Sequence, residues 1–234
     1  MKDMEHFKGI IIAHRGIHDN IHVYENTIEA FEKAIKRNIP IELDVHLLKD
    51  NKLVVFHDDN LKRLTGIKKE IRSLTYTELQ NIKIKDKYSI PLFRDVLELV
   101  DGKVLLAIEI KDDKRVLDTC RELVKLLDPY NGKFVIQSFY PKYIHWLKCY
   151  RKDYISGLLI PLTSPKLYQF IIHKLLHIPI LSPDFIACSK YTLTTERMQK
   201  LRKKIPLFVW TIQSKEELYH YKNYADGFIM NIKY

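Results

Sequence analysis

Residues 9–16 read Gly-Ile-Ile-Ile-Ala-His-Arg-Gly, an apolar run that ends in a histidine, an arginine and a glycine. Such a run is typical of a buried strand that carries two cationic groups to its end. Residues 41–45 repeat the arrangement as Ile-Glu-Leu-Asp-Val. Because residues i and i+2 of a strand point to the same face, Glu42 and Asp44 are predicted to lie on one face.

Two more strand-like segments end in charged residues. Residues 53–56 run into His57-Asp58, and residues 104–108 run into Glu109-Ile110-Lys111, again with the charged pair on one face. The four strand ends together supply two histidines, several carboxylates, an arginine and a lysine. This set predicts a site for phosphoryl chemistry around a divalent cation.

Strand-like runs alternate with helical periodicity along the chain, which indicates an α/β protein with a parallel sheet. Eight such runs in 234 residues predict a closed (β/α)8 TIM barrel, a fold of typically ~250 residues. The predicted strands span residues 9–13, 39–45, 104–110, 134–137, 155–159, 185–187, 207–211 and 227–230. Residues 53–56 are predicted to form an extra short strand outside the eight.

Helices are predicted between most of these strands. They span residues 27–37, 112–127, 143–150, 166–177, 195–204 and 215–223. Asn26, Thr194 and Ser214 are interpreted as N-caps. Residues 59–103 break the alternation and are interpreted as a small insertion between the second and third barrel strands, with helices over 75–81 and 92–100 and a polar connector over 83–89. We therefore expect one domain, residues 1–234.

Net charge and cysteine content indicate which partners the protein binds and in which cellular compartment it resides. The formal charge of +10 favours anionic partners, but lysines and arginines are scattered, with one run at residues 202–204. This pattern argues against nucleic acid and leaves open a weak contact with an anionic membrane surface. Three distant cysteines, with no secretion signal and no membrane span, predict a cytoplasmic protein. The sequence does not define an oligomeric state.

Glu42, Asp44 and Glu109 are the predicted metal ligands. Carboxylate oxygens suit a hard divalent cation such as Ca²⁺, Mg²⁺ or Mn²⁺. His14 and His57 are the predicted acid–base pair, because imidazole titrates near neutrality and phosphodiester cleavage needs one proton removed and one supplied. The sequence leaves open which histidine is the acid and which the base.

Five residues are predicted to bind substrate. Arg15 and Lys111 are assigned to the phosphate, although an ion pair with Glu109 or Asp112 is the alternative for Lys111. Glu25 either orients Arg15 or contacts substrate. Gln137 and Trp210 end later strands, where barrel active sites gather, and Trp210 is either an apolar wall for the organic group or part of the core.

The remaining histidines are interpreted as structural. They are His6, His18, His22, His46, His145, His173, His177 and His220. The unusually apolar segment 168–181 is interpreted as a helix packed on the barrel, with a surface facing lipid or another copy as the alternative.

Ordered motifs along residues 9–231 resemble the glycerophosphodiester phosphodiesterase family. They are His14-Arg15-Gly16, Glu25-Asn26-Thr27, residues 41–45, residues 54–58, Arg63, residues 108–111, residues 137–139, residues 209–211 and residues 225–229. The resemblance implies metal-dependent hydrolysis of a small glycerophosphodiester to sn-glycerol 3-phosphate and an alcohol. It also implies that the insertion caps the active site. One departure is Tyr24, where the family usually has proline.

Two other functions compete with this one. The same barrel would support a phospholipase D-like activity on lysophospholipids if its mouth accepted an acyl chain. A non-catalytic module that binds anionic lipid would belong to a different class of protein. The presence of all five proposed ligands and proton carriers argues against the non-catalytic module.

Overall fold

The computed structural model describes residues 7–160 and 181–233. The chain forms two compact units, one of residues 13–134 with 232–234 and one of residues 1–12 with 135–231. The strands are β1 (Ile10–His14), β2 (Ile41–Leu47), β3 (Leu53–Val55), β4 (Lys83–Ile84), β5 (Tyr88–Ser89), β6 (Leu106–Ile110), β7 (Phe134–Ser138), β8 (Ser156–Ile160), β9 (Phe185–Ser189), β10 (Leu207–Ile212) and β11 (Gly227–Met230).

The described helices separate most of these strands. They are α1 (Ile28–Lys36), α2 (Lys62–Thr65), α3 (Tyr76–Leu79), α4 (Phe93–Val100), α5 (Val116–Leu127), α6 (Pro141–Tyr150), α7 (Lys190–Leu193), α8 (Glu196–Arg202) and α9 (Lys215–Tyr221). The fold is a (β/α)8 barrel with an insertion after its second strand, as predicted. No helix within the described ranges is both long and apolar enough to cross a membrane.

Within residues 13–134, β2 lies between β1 and β6 and is parallel to both. All seven residues of β2 are buried, as expected for a strand covered on both faces. The register places His14 beside Glu42 and Asp44 beside Glu109. β3 pairs antiparallel with the end of β2, which confirms the extra short strand.

The insertion shares one apolar core with the segment 48–56, which includes β3. Its buried residues are Leu48, Val54, Phe56, Leu61, Leu64, Ile71, Leu74, Leu79, Ile84, Tyr88 and Ile90. The predicted polar connector over 83–89 is wrong, because β4 and β5 pair there as a hairpin. Ile84 and Tyr88 are buried, while Lys85 and Asp86 have positive φ angles, the geometry of a tight hairpin turn.

Two predicted caps are wrong. Thr27, and not Asn26, caps α1, because the Thr27 side chain accepts a hydrogen bond from the Ala30 N–H and Asn26 has φ +56°. Thr194 ends α7, and Thr195 occupies the N-cap position of α8. Ser214 caps α9 as predicted, accepting from the Glu217 N–H.

Within the other unit, β7 to β11 follow one another as parallel neighbours. Cys188 on β9 is buried, and burial raises the pKa of its thiol to about 12, as expected for a structural cysteine. The predicted helix over 166–177, with His173 and His177, lies outside the described residues, as does most of the apolar segment 168–181.

Candidate active site

Strand register gathers the three predicted metal ligands. Glu42 and Asp44 lie on β2, and Glu109 lies opposite Asp44 on β6. Their side chains each offer an oxygen within 4.8 Å of the others, and all three residues are buried. The i, i+2 spacing and one parallel pairing therefore suffice to build a compact cluster of carboxylates.

The three carboxylates are buried side by side and repel one another. Burial, and then the negative charges of Asp44 and Glu109, raise the pKa of Glu42 well above its ordinary value. Burial also raises the pKa of Glu109. For Asp44, burial is outweighed by the positive charges of Lys111 and Arg15, and its pKa is lowered. Burial and mutual repulsion thus make it costly to ionise all three carboxylates at once.

This donor set fits a hard divalent cation. Three buried carboxylates face two cationic side chains, Arg15 and Lys111, so the ionised cluster keeps one negative charge in excess. Oxygen-only ligands suit Mg²⁺, Ca²⁺ or Mn²⁺ better than zinc, which favours sulfur and imidazole ligands. A divalent cation among the carboxylates would relieve the repulsion that raises the pKa of Glu42.

Lys111 contacts two of the proposed ligands. Its Nζ lies 2.6 Å from Glu109 Oε1 and 3.1 Å from Asp44 Oδ1. Burial opposes its charge, but the carboxylates of Asp44 and Glu109 outweigh burial and raise its pKa. Lys111 therefore stays protonated beside the cluster. The ion pair with Glu109 exists, and it keeps the ammonium group within the site.

The loop after β1 places Arg15 against the same cluster. The Arg15 N–H donates to Glu42 Oε2 at 3.1 Å, and its guanidinium Nε lies 3.4 Å from Asp44 Oδ2. That Nε is buried and has no hydrogen-bond partner among the described groups. A buried N–H without a hydrogen-bond acceptor is costly, and the ion pair with Asp44 offsets part of this cost.

Gly16 allows this loop to turn. Its φ is +82°, and a Cβ there would come within 2.9 Å of the carbonyl carbon of Ala30 in α1. The Ile17 N–H also donates to the Ala30 carbonyl at 3.0 Å. Glycine is therefore required both by the backbone conformation and by the close approach of α1.

Glu25 is saturated by hydrogen bonds. It accepts from Arg15 Nη1 at 2.7 Å, from Asn20 Nδ2 at 2.8 Å, and from Arg63 Nη2 and Nη1 at 2.6 and 3.1 Å. Burial would raise its pKa, but the hydrogen bond from Arg63 and the charge of Arg15 prevail and lower the pKa to about 2. Such a carboxylate is occupied in holding its neighbours in place.

His57 is oriented by the residue that follows it. Its Nδ1 lies 2.6 Å from Asp58 Oδ1. The pKa of Asp58 is lowered, because the hydrogen bonds from His57 and Arg63 outweigh partial burial. An ionised carboxylate only accepts hydrogen bonds, so His57 Nδ1 carries the proton. The other ring nitrogen, Nε2, is then the unprotonated one in the neutral ring.

The other predicted site residues divide between the two units. His14 ends β1 beside Glu42 in the unit of residues 13–134. Gln137 and Trp210 belong to the other unit, on β7 and β10. Gln137 is buried, and the Trp210 ring is half-buried, edge-on to Phe139 at 5.5 Å.

Of the histidines interpreted as structural, His46 contacts the backbone of a predicted site residue. It is buried on β2, and its Nε2 lies 3.3 Å from the His57 carbonyl. Burial and then the charge of Lys111 lower its pKa to about 4. His18 is buried as well, whereas His22, His145 and His220 are exposed. A neutral His46 therefore donates to the backbone that carries His57.

The sequence interpretation missed several residues of the site. Asn26, predicted as a helix cap, donates from Nδ2 to Asp44 Oδ2 at 2.8 Å. Asp58 and Arg63 were recognised as motif residues without a role, yet both bind site residues. The position of Asp58 next to His57 was a usable signal. No spacing in the sequence predicts the contact of Arg63 with Glu25, which lies 38 residues away.

Comparisons with known proteins identify relatives of this chain. A glycerophosphodiester phosphodiesterase of Caldanaerobacter subterraneus subsp. tengcongensis is 31% identical, over 90% of this chain and 88% of its own length. A lysophospholipase D of Homo sapiens is 33% identical over 61% of this chain and 48% of its own length.

Among solved structures, an Oleispira antarctica phosphodiesterase in complex with the product sn-glycerol-3-phosphate superposes with a TM-score of 0.82 at 21% identity. The match covers 97% of this chain and 94% of that one, and at this identity it speaks for the fold. The sequence model of the glycerophosphoryl diester phosphodiesterase family matches residues 14–231. The chain therefore belongs to the glycerophosphoryl diester phosphodiesterase family.

Proposed function

We propose that this protein hydrolyses glycerophosphodiesters to sn-glycerol 3-phosphate and an alcohol, with a divalent cation held by Glu42, Asp44 and Glu109. The observation that carries the proposal is the buried cluster of these carboxylates with Arg15 and Lys111 against it. When bound, the cation would act as a Lewis acid on the phosphate oxygens. Mg²⁺, Ca²⁺ and Mn²⁺ are the candidates.

Arg15 and Lys111 are assigned to the phosphate group. The buried Arg15 Nε supplies a donor that lacks a hydrogen-bond partner among the described groups, and Lys111 supplies a point charge. Both favour the negative charge that builds up on the non-bridging oxygens during the reaction. Glu25 is assigned to orienting Arg15, because its oxygens already accept four hydrogen bonds.

His14 and His57 are assigned to proton transfer. A hydroxyl oxygen, from water or from the glycerol moiety, forms a new bond to phosphorus, and its proton passes to one imidazole. The bond from phosphorus to the alcohol oxygen breaks, and the other imidazole protonates that oxygen. If the glycerol hydroxyl attacks, a cyclic phosphate forms first and water then opens it. Asp58 fixes the tautomer of His57 with Nε2 free to act.

The proposal is tested by metal removal and by histidine substitution. Chelation should abolish turnover of glycerophosphodiesters, and Mg²⁺, Ca²⁺ or Mn²⁺ should restore it. His14→Ala and His57→Ala should each lower kcat on the order of 10²–10⁴-fold. His220→Ala, at an exposed position on α9, serves as the matched control and should keep full activity. Full turnover in chelator after verified metal removal would refute the three-carboxylate site.

Trp210 and Gln137 are proposed to contact the organic part of the substrate. If Trp210 forms an apolar wall, Trp210→Ala should reorder kcat/KM among choline, ethanolamine and glycerol esters, whereas Arg15→Ala should lower kcat/KM for every ester alike. Equal losses of kcat/KM on all esters for Trp210→Ala would instead show that Trp210 is part of the core.

Lysophospholipase D activity is a second candidate function. The human relative with that name, 33% identical over part of this chain, is the observation that favours it. Lysophospholipids in the same substrate panel decide the matter, since turnover of lysolipids above that of the short esters would make them the preferred class.

We also propose a cytoplasmic location and a weak contact with anionic membranes. The net charge of +10 supports the membrane contact, and sedimentation with phosphatidylglycerol vesicles, against phosphatidylcholine vesicles, tests it.

A further inference from the structure

Arg63 contacts two carboxylates at once. Its Nε and Nη2 donate to Asp58 Oδ2 and Oδ1 at 2.6 and 3.0 Å. Its Nη2 and Nη1 donate to Glu25 Oε1 and Oε2 at 2.6 and 3.1 Å. One planar guanidinium group therefore holds both carboxylates in bidentate geometry, which a lysine ammonium group cannot do.

Each of these carboxylates holds a different residue of the proposed machinery. Asp58 accepts from His57 Nδ1 at 2.6 Å, and Glu25 accepts from Arg15 Nη1 at 2.7 Å. The hydrogen bonds thus form a continuous chain from the proposed proton carrier His57 to the proposed phosphate ligand Arg15. Arg63 is the central member of this chain.

The packing of neighbouring residues holds the backbone of Arg63 in place. It lies in α2 between Leu61 and Leu64, which are both buried in the apolar core of the insertion. The two carboxylates come from different elements, since Asp58 follows β3 and Glu25 precedes α1. Arg63 therefore ties the insertion to the loop that carries Arg15.

We infer that Arg63 is a positioning residue, which sets the spacing between His57 and Arg15 by clamping Asp58 and Glu25. This inference rests on the proposed function, because it requires both residues to act on the phosphodiester. Arg63 does not itself touch the reacting atoms in this role. An error of about 1 Å in catalytic geometry can cost on the order of 10²-fold in rate, so the clamp has a measurable effect.

A surface ion pair with no catalytic consequence is the competing explanation, because the Arg63 side chain is 44% exposed. Exposed ion pairs contribute little to stability. Two observations favour positioning: the Glu25 side chain is only 3% exposed, and all four hydrogen bonds converge on residues that hold His57 or Arg15. Arg72 provides the contrast, since it pairs with the exposed Glu70 at 2.9 Å in the same insertion.

The test compares Arg63→Met and Arg63→Lys with Arg72→Met as the matched control. Arg63→Met should lower kcat/KM for a glycerophosphodiester on the order of 10²-fold. Arg63→Lys should fall between this variant and the wild type, and Arg72→Met should match the wild type. Thermal melts identify any unfolded variant. A fully active Arg63→Met protein, or an Arg63→Lys protein equal to wild type, would overturn the clamp.

Chemical rescue separates positioning from stability. Because Arg63 is partly exposed, added guanidinium should reach the gap in Arg63→Ala and recover part of the lost kcat, at concentrations that leave the melting temperature unchanged. Arg72→Ala should not respond. Absence of rescue in a folded, impaired Arg63→Ala protein would contradict a positioning role. The wild-type protein, His57→Ala and Arg15→Ala are assayed beside it. No glycerophosphodiester turnover by the wild type refutes the proposed function, full activity of both variants refutes the roles assigned to His57 and Arg15, and impairment of both while Arg63→Met is active refutes only the clamp.

Discussion

At the scale of single residues, the site consists of charged groups that hold one another. Arg15 is held by Glu25, Glu25 by Arg63, and Lys111 by Asp44 and Glu109. These pairings favour the ionised forms of Arg15, Lys111, Glu25 and Asp44, although these groups are largely buried. The residues nearest the proposed substrate thus enter the reaction with charge and orientation already set.

Glu25 is expected to make folding stability depend on pH. Its pKa falls from 4.5 to about 2 on folding, so its stabilisation is complete above pH 4.5 and is lost as the pH falls towards 2. The difference corresponds to about 3 kcal/mol. Urea unfolding of Glu25→Gln at pH 7 should show this deficit, and the deficit should shrink as the pH falls towards 2.

The control for this measurement is Glu32→Gln, at an exposed position on α1. Its difference from the wild type should stay small and independent of pH. A deficit of Glu25→Gln that stayed constant between pH 5 and pH 2 would show that the Glu25 carboxylate is not held ionised by Arg63 and Arg15.

At the scale of elements, short segments brace the loop between β1 and α1. Tyr24, at the position where the family usually has proline, packs against Tyr88 of the insertion hairpin with ring centroids 5.8 Å apart. The Tyr88 hydroxyl also donates to the His22 carbonyl. Asp19 accepts from the N–H groups of His22 and Val23. The loop that carries Arg15 is therefore fixed by the insertion as well as by α1.

Gly16→Ala is predicted to disturb this element more than a comparable glycine substitution. Gly16 and Gly66 both have positive φ angles, +82° and +78°, but only Gly16 would bring a Cβ within 2.9 Å of backbone. Gly66→Ala should cost roughly 1 kcal/mol from backbone strain alone. Gly16→Ala should cost more and should also lower kcat/KM, because Arg15 must move. Urea unfolding and kinetics of the two variants check this, and equal effects would refute it.

At the scale of the whole molecule, the overall charge and the charge of the site have opposite signs. The chain carries +10, while three buried carboxylates form the proposed cation site. Scattered surface lysines favour anionic substrates at long range, whereas the buried carboxylates demand a cation at short range. Because burial, and then the negative charges of Asp44 and Glu109, raise the pKa of Glu42, metal binding is expected to stabilise the fold.

A divalent cation at about 100 times its Kd should therefore raise the Tm by roughly 5–10 °C over the value in chelator. Glu42→Gln should abolish this increase without lowering the Tm measured in chelator, because it removes a repelled charge. Thermal melts with and without Mg²⁺, Ca²⁺ or Mn²⁺ provide the measurement. A Glu42→Gln protein with the full metal-induced increase would exclude Glu42 as a ligand.

The sequence by itself determined the strands and the cluster of proposed ligands. Most residues of a buried strand are apolar, so charged residues inside or just after an apolar run are exceptions. They mark the strand ends, where the active site of a barrel lies. Glu42, Asp44 and Glu109 followed from this rule and from the two-residue period of a strand. The pairing of β2 with β6 then placed them together.

Only the tertiary structure decided which loop residues support that cluster. Asn26 fitted a helix cap by residue type, yet its left-handed backbone turns its amide to Asp44. Arg63 reaches Glu25 where the insertion packs on the apolar core that it shares with the segment 48–56. Periodicity fixes the direction of a side chain within a strand or a helix, but contacts between loops depend on the path of the chain in space, which no local pattern encodes.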